Sequence, residues 1–493
     1  MTKTNLSRRS ALKLGGAALA LATVGGFYAS STASYAGHPV IPKPLQIPPQ
    51  DMGRMQDGVR VFDLNVQTGE TVFFEGLTTD TLGINGSYLG PVLRMKSGET
   101  IRLNVTNGLK ETTTLHWHGF NLPAITDGGP HQEIDPGAVW SPEFVVREKA
   151  ATMWYHSHQF HKTADQVWAG MAGMALVEDD ESNALDLPDT YGVDDIPVVL
   201  QDRSFRRNGQ MPYVSSMQAR MMGLTGDIPM VNGTITPYFD VTTSLIRLRL
   251  LNGANASIYT LNFADGREFS QISSDGGLLE SPAPMRSIKL SPGERADIVV
   301  DMSGGSVATL RSVNAGGGGG GMMGGMMGSG PAFDFLELRP AASLTASRPL
   351  PERLAALPAA SDNGVTKTRK FELQMSGMGP FAKFLINGKS MAMDRIDEVI
   401  EKGVPEIWEV SNTSPMAHPF HVHNTQFRIL DRNGAAPQPG ERGLKDTVLV
   451  NPQERVRILV RFDYYTDADN PYMYHCHILE HEDAGMMGQF TIV

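Results

Sequence analysis

Ten of the thirteen histidines in this 493-residue chain fall in four short segments, and its single cysteine sits inside the last of them. The segments are His116-Trp117-His118, His156-Ser157-His158, His418-Pro419-Phe420-His421-Val422-His423 and Tyr474-His475-Cys476-His477-Ile478-Leu479-Glu480-His481; Met486 lies ten residues beyond the cysteine. Only His38, His131 and His161 fall elsewhere. Histidines at i and i+2 share one face of a strand, about 7 Å apart along it. The four segments therefore predict four strands that aim imidazoles the same way. One His-x-His pair is an ordinary surface or core feature, but four, with the lone cysteine between two of the histidines, make a metal centre. A thiolate, imidazoles and a thioether are the donors of a blue copper site. If Cys476 faces one metal, His475 and His477 face the opposite side and can serve a second centre one peptide away.

The background suits strands. Gly (52) and Pro (31) are plentiful and charged residues are only 19% of the chain, which favours an all-β protein with many turns. Net charge is −11, and an acidic body argues against nucleic acid as a partner. The first 36 residues carry Lys3, Arg8, Arg9 and Lys13 and no acid, so the remainder is four charges more negative. Ser7-Arg8-Arg9-Ser10-Ala11-Leu12-Lys13 is close to a twin-arginine export motif, with Ala11 where a bulkier apolar residue is usual. An Ala/Gly-rich apolar stretch follows from Leu14 to Tyr28, and cleavage is expected near Ser34-Tyr35-Ala36; an uncleaved anchor is the alternative. No later stretch is long and apolar enough to span a membrane. The expected compartment is periplasmic or extracellular, where a leftover cysteine calls for an explanation and a metal supplies one.

After a Pro-rich lead-in (Pro39 to Pro49), β-type phrases recur in three copies: Ile101 to Asn107, Ile246 to Asn252 and Ile407 to Asn412. Each is followed by a turn phrase, Asp135-Pro136-Gly137, Ser291-Pro292-Gly293 and Asn451-Pro452-Gln453. A period above 100 residues makes each copy a domain, a β-sandwich or small barrel. Aligning the first and third copies puts Ser157 where Cys476 stands, so the first keeps paired imidazoles without a thiolate. The second copy has no histidine and reads as a spacer. Linkers are expected at Asp179 to Asp195 and Pro340 to Asn363. A glycine run, Gly316 to Gly321, precedes Met322, Met323, Met326 and Met327. Six glycines predict a mobile loop. Its roles stay open: a collector of Cu(I) through soft thioethers, a contact surface, or an insertion without a role.

The four histidine motifs and the run from His475 through Glu482-Asp483-Ala484-Gly485-Met486 resemble the multicopper oxidases: laccases, bilirubin oxidases and, most of all, the CueO-type copper-efflux oxidases. The resemblance spans nearly the whole mature chain. It implies three consecutive cupredoxin-like Greek-key β-barrel domains: an export signal at 1–36, then 37–180 with type 2 and type 3 ligands, 190–345 with no copper ligand and the Met-rich loop at 316–331, and 365–493 with the type 1 site and the remaining ligands. It implies four copper ions. His418, Cys476, His481 and Met486 would bind type 1 copper; His116 and His421 type 2; His118, His156, His158, His423, His475 and His477 the type 3 pair. Met486 as axial ligand implies a moderate type 1 potential. The implied reaction couples one-electron oxidation of a donor to four-electron reduction of O2 to water.

Asp127 and Glu482 stand where the family keeps acids that relay protons; the alternative is that each only orients an imidazole. Met375 and Met416 match the thioethers of a CueO-type substrate-copper site, but Pro380 and Ser414 stand where its acids would be, and the Met- and His-rich insertion is missing after Met378. The expected donors are Cu(I), in periplasmic copper detoxification, or small aromatic molecules, as in a laccase or bilirubin oxidase. A non-catalytic protein on the same scaffold is the third reading, and a monomer without stable membrane insertion is expected.

Overall fold

The structure, a computed structural model, describes residues 34–35, 37–313, 332–377 and 381–493. The export motif, the Met-rich loop with Met322, Met323, Met326 and Met327, and Pro380 lie outside the described residues. The described chain is all-β: three successive units, each of two packed sheets around its own apolar core. Alternation in the sequence becomes alternation in burial. In Thr100–Asn107 every second side chain enters the first core and its neighbours face outward.

The three sequence copies fold alike to the level of single hydrogen bonds. Thr100–Asn107, Leu245–Asn252 and Glu406–Asn412 each pair in parallel with an earlier strand of the same unit. Each ends on an asparagine whose side-chain amide donates to two carbonyls: Asn107 to Glu111 and Ile134, Asn252 to Ser257 and Leu290, Asn412 to Met416 and Val450. Each asparagine carbonyl also accepts the backbone N–H of the turn phrase, from Gly137, Gly293 and Gln453. These three turn residues share a positive φ of 77°, 85° and 60°. Glycine takes that conformation without cost, and Gln453 takes it under strain.

The strands that carry histidine lie in the inner sheets of the first and third units. His116–His118 pairs with Ala151–His156, setting His116 opposite His156. His418–Val422 pairs with Asp467–Cys476, setting His421 opposite His475 and Phe420 opposite Cys476. Ala151–His156 and His418–Val422 are buried at every position, because one face meets its own core and the other meets a neighbouring unit.

The described residues hold four short α-helices, α1 (Thr163–Ala169), α2 (Asp180–Asn183), α3 (Met217–Met222) and α4 (Leu479–Asp483). Asp483 of α4 accepts the Thr163 and Ala164 N–H groups at the start of α1 (3.1 and 2.9 Å), which ties the third unit to the first. Three details differ from the sequence expectation. The Pro-rich lead-in docks on the second unit, with Leu45 in that unit's core and Tyr238 exchanging hydrogen bonds with Lys43 and Leu45. The first expected linker contains α2, capped by the Asp179 side chain. The second begins late, because Pro340 to Thr345 continue the strand Phe333–Thr345 beside Tyr238–Thr243.

Candidate metal centre

Eight imidazoles from the first and third units converge in the seam between them. Nitrogen atoms group as His116, His118 and His421; His118, His156 and His477; and His158, His423 and His475, each set within 4.8 Å and fully buried. Backbone carbonyls and buried carboxyl groups fix most of the ring protons. His116 Nδ1–H donates to the Asp127 carbonyl (2.9 Å) and His421 Nδ1–H to the Asp446 carbonyl (2.8 Å). The Nε2 atoms of both are buried without a hydrogen-bond partner. His156 and His475 give their Nδ1–H groups to the carbonyls of the next residues, Ser157 (2.8 Å) and Cys476 (3.1 Å). His423 gives its Nδ1–H to Asp127 Oδ2 (2.7 Å), and His118 gives its Nε2–H to Asp446 Oδ1 (2.9 Å). Each ring thus turns one lone pair inward. Nε2 atoms of His158 and His423 each stand 3.2 Å from His475 Nε2, and His156 Nε2 stands 3.4 Å from His118 Nδ1. Facing lone pairs repel unless a cation lies between them, so the donor set fits metal.

Electrostatics agree. Burial pushes His116, His118, His156, His421 and His423 well below the ordinary imidazole value, His158 to about 4 and His477 to about 3. These rings stay neutral at neutral pH, the state that binds metal.

The second group lies one peptide away on the other face of the same strand. Cys476 Sγ is 3.3 Å from His418 Nδ1 and 3.8 Å from His481 Nδ1, all three fully buried. Met486 is buried in the same core, and its carbonyl accepts the Cys476 N–H (3.0 Å). Burial pushes the Cys476 thiol up, so metal binding here releases a proton. His418 donates Nε2–H to Ser414 Oγ (2.7 Å), which passes its own proton to the Met416 carbonyl (2.9 Å). His481 donates Nε2–H to the Met221 carbonyl of α3 (3.2 Å). Both rings therefore keep Nδ1 for the sulfur side.

Asp127 and Glu482 flank the seam. Burial alone raises the Asp127 carboxyl well above the usual range. Glu482 sits between His158 Nδ1 (3.3 Å) and His475 Nδ1 (3.2 Å); burial opposes its charge, but these imidazoles outweigh it and draw it down. Trp154 stacks on His156 at 4.1 Å and closes one side.

The structure corrects one expectation outright. The second unit is no mere spacer: Met221 holds His481, and Arg295 pairs with Asp446 at its Oδ1 (2.8 Å) and Oδ2 (2.6 Å). Ser414 is buried and orients His418. Met375 and Met416, and Met221 of α3, are each partly buried against the third core. Asp446 and Met221 were not legible. Each is a common residue type with no spacing rule linking it to a histidine, and only the folded seam brings them there.

Multicopper oxidase family models match residues 65–182 and 363–493. The chain is 34% identical to the multicopper oxidase mco of Staphylococcus aureus over 446 residues, 90% of each chain, and 35% identical to the cell division protein FtsP of Escherichia coli over 491 residues, 99% of each. Among solved structures it is similar to a laccase of Pediococcus acidilactici (39% identity, TM-score 0.83, 92% of this chain and 95% of that one). It is also similar to a laccase-like multi-copper oxidase CueO of Ochrobactrum (38%, TM-score 0.82, 91% and 100%). The three β-units are cupredoxin-like, the expected histidine and cysteine donors cluster in the first and third of them, and the chain belongs to the multicopper oxidase family.

Proposed function

We propose that this protein is a periplasmic oxidase that takes electrons singly from Cu(I) and uses them, four at a time, to reduce O2 to water. His418, Cys476, His481 and Met486 would hold the electron-accepting copper, and His116, His421, His118, His156, His158, His423, His475 and His477 the three that supply O2 reduction. Cys476 is bonded through the backbone to His475 and His477, a covalent path between the two centres. His481 faces the donor side. Asp127 and Glu482 carry protons to the seam while Trp154 excludes water.

The observation that carries the Cu(I) reading is the cover over His481. Its outward nitrogen is held by the Met221 carbonyl, and α3 lies across it. The thioethers of Met221, Met375 and Met416 pack, partly exposed, against the same core. Soft sulfur suits Cu(I), whereas a planar aromatic donor must displace α3 to reach the imidazole. A laccase is the second reading, favoured by the structural likeness to laccases. A role in cell division, as in the name of the Escherichia coli relative, leaves unexplained why so many neutral imidazoles and a thiol are buried with lone pairs facing one another.

The test is O2 consumption by copper-loaded protein with Cu(I) and with a phenolic donor. Two variants are compared, one with Met221, Met375 and Met416 changed to Leu and one with Met322, Met323, Met326 and Met327 changed to Leu. Loss of Cu(I) turnover with phenol turnover kept supports a cuprous oxidase and locates its copper intake. Slow Cu(I) and fast phenol oxidation by the unmodified protein would establish the laccase reading.

A further inference from the structure

Asp127 and Asp446 occupy matching places across the seam. Each gives its backbone carbonyl to a histidine of its own unit, His116 or His421, and its carboxylate to a histidine of the other, His423 or His118. The rings stack in the same crossed pairs, His116 on His423 at 4.0 Å and His118 on His421 at 3.7 Å. The symmetry breaks in two respects. His423 donates through Nδ1, but His118 donates through Nε2. And Asp446 alone is gripped by an arginine, Arg295 of the second unit.

That arginine has every N–H used. Nε donates to the Thr152 carbonyl of the first unit (3.0 Å). Nη1 donates to Gly293 O (3.1 Å) and Asp446 Oδ1, and Nη2 to Asp275 O (3.0 Å) and Asp446 Oδ2. Arg295 and Asp446 are both fully buried. Space for the fork exists only because residue 119, just after His118, is a glycine at φ +94°; a Cβ there would stand 2.8 Å from both Arg295 Nη2 and Asp446 Oδ2.

We infer that Asp446, locked by Arg295, is a positioning residue that forces His118 to keep its proton on Nε2 and present Nδ1 to the metal, so that the histidine-free second unit governs copper binding in the seam. A buried two-pronged arginine–carboxylate pair is rigid. A carboxylate so held offers the His118 ring only an acceptor, and a ring whose N–H is pinned has one choice of ligand atom. Thr447 Oγ1, 3.0 Å from Asp446 Oδ1 and 3.2 Å from His421 Nδ1, extends the hold to His421.

The inference rests on the copper reading of the seam, so its test has one arm without metal. In metal-free protein with 15N-labelled histidine, the His118 ring is expected to show a slowly exchanging Nε2–H and a bare Nδ1. A His118 protonated on Nδ1 would overturn the inference whatever copper does. The second arm compares Asp446→Asn and Arg295→Lys with the unmodified protein in copper content, blue absorbance and seam-copper affinity. Both variants are expected to keep the blue cysteine site and to lose about 10-fold or more in affinity for seam copper. Unchanged affinity would overturn the positioning role. Arg203→Met is the structural control: Arg203 is a buried arginine of the second unit that holds the Val167 and Trp168 carbonyls of the first. If it weakens seam copper equally, the effect is general loosening and the inference falls. Unmodified protein that fills the cysteine site alone would sink the copper reading of the seam, and the spectrum of the metal-free protein would still decide the tautomer.

Discussion

Two aspartates with the same contacts to histidine have different neighbours, and that separates their chemistry. Asp446 is held by a guanidinium on both oxygens. Asp127 faces imidazoles: its Oδ2 accepts from His423, and its Oδ1, without a hydrogen-bond partner, lies 3.6 Å from His116 Nδ1. Burial without a compensating cation makes Asp127 the carboxyl that takes up a proton readily. Asp127→Asn keeps an oxygen for the His423 N–H and abolishes only the proton. We expect the blue colour and full copper content to survive while O2 reduction slows by about 10²-fold, read from steady-state oxygen uptake. Asp127→Ala removes the acceptor as well and is expected to lower seam-copper content too. Turnover unchanged in the Asn variant would reduce Asp127 to a support for His423.

At the scale of elements, the strands were readable and the cover was not. His-x-His spacing and period-two alternation are local, so the sequence already placed the histidine strands of the first and third units and set Cys476 back to back with His475 and His477, although His158, His423 and His477 lie just past the strand ends. The repeat phrases likewise became the equivalent strands and turns around Asn107, Asn252 and Asn412. By contrast, Met217–Met222 has no pattern of its own that points to a copper ligand. It buries only Ala219, is started by the Ser216 side chain accepting the Ala219 N–H (3.0 Å), and acquires its role by lying against α4. Under the proposed Cu(I) function its consequence is selectivity. Replacing residues 217–222 with a Gly/Ser segment of equal length frees the His481 Nε2 edge. Aromatic donors are expected to gain about 10-fold in kcat/KM, equivalent to about 1.4 kcal/mol of transition-state stabilisation, while Cu(I) turnover falls. Equal kinetics for phenols before and after the exchange would mean that electrons enter elsewhere.

The molecule as a whole is held around its seams, and a buried acid makes one of them sensitive to pH. Residues 121–122 bridge the first and third units: Leu122 N–H donates to Asn424 Oδ1 (2.9 Å), and its carbonyl accepts from the Tyr472 hydroxyl (2.8 Å). Glu148 supports this loop from beneath, accepting the Asn121 backbone and side-chain N–H groups (2.6 and 2.9 Å) and the Arg147 N–H (3.1 Å). Burial outweighs these donors and pushes the Glu148 carboxyl up to about 7. The folded state therefore holds the proton more tightly than the unfolded chain. The stability this confers is complete below the ordinary carboxylate range, near 4.5, and is lost as pH rises through about 7. Glu148→Gln retains an oxygen acceptor and cannot ionise. Urea unfolding of the metal-free protein should therefore show the variant gaining on the unmodified chain by roughly 2 kcal/mol between about pH 5 and pH 8. The gain must grow with pH: a Gln variant whose deficit or advantage is constant over that range would show that Glu148 is already ionised in the folded seam, with its three N–H donors sufficient to hold the charge.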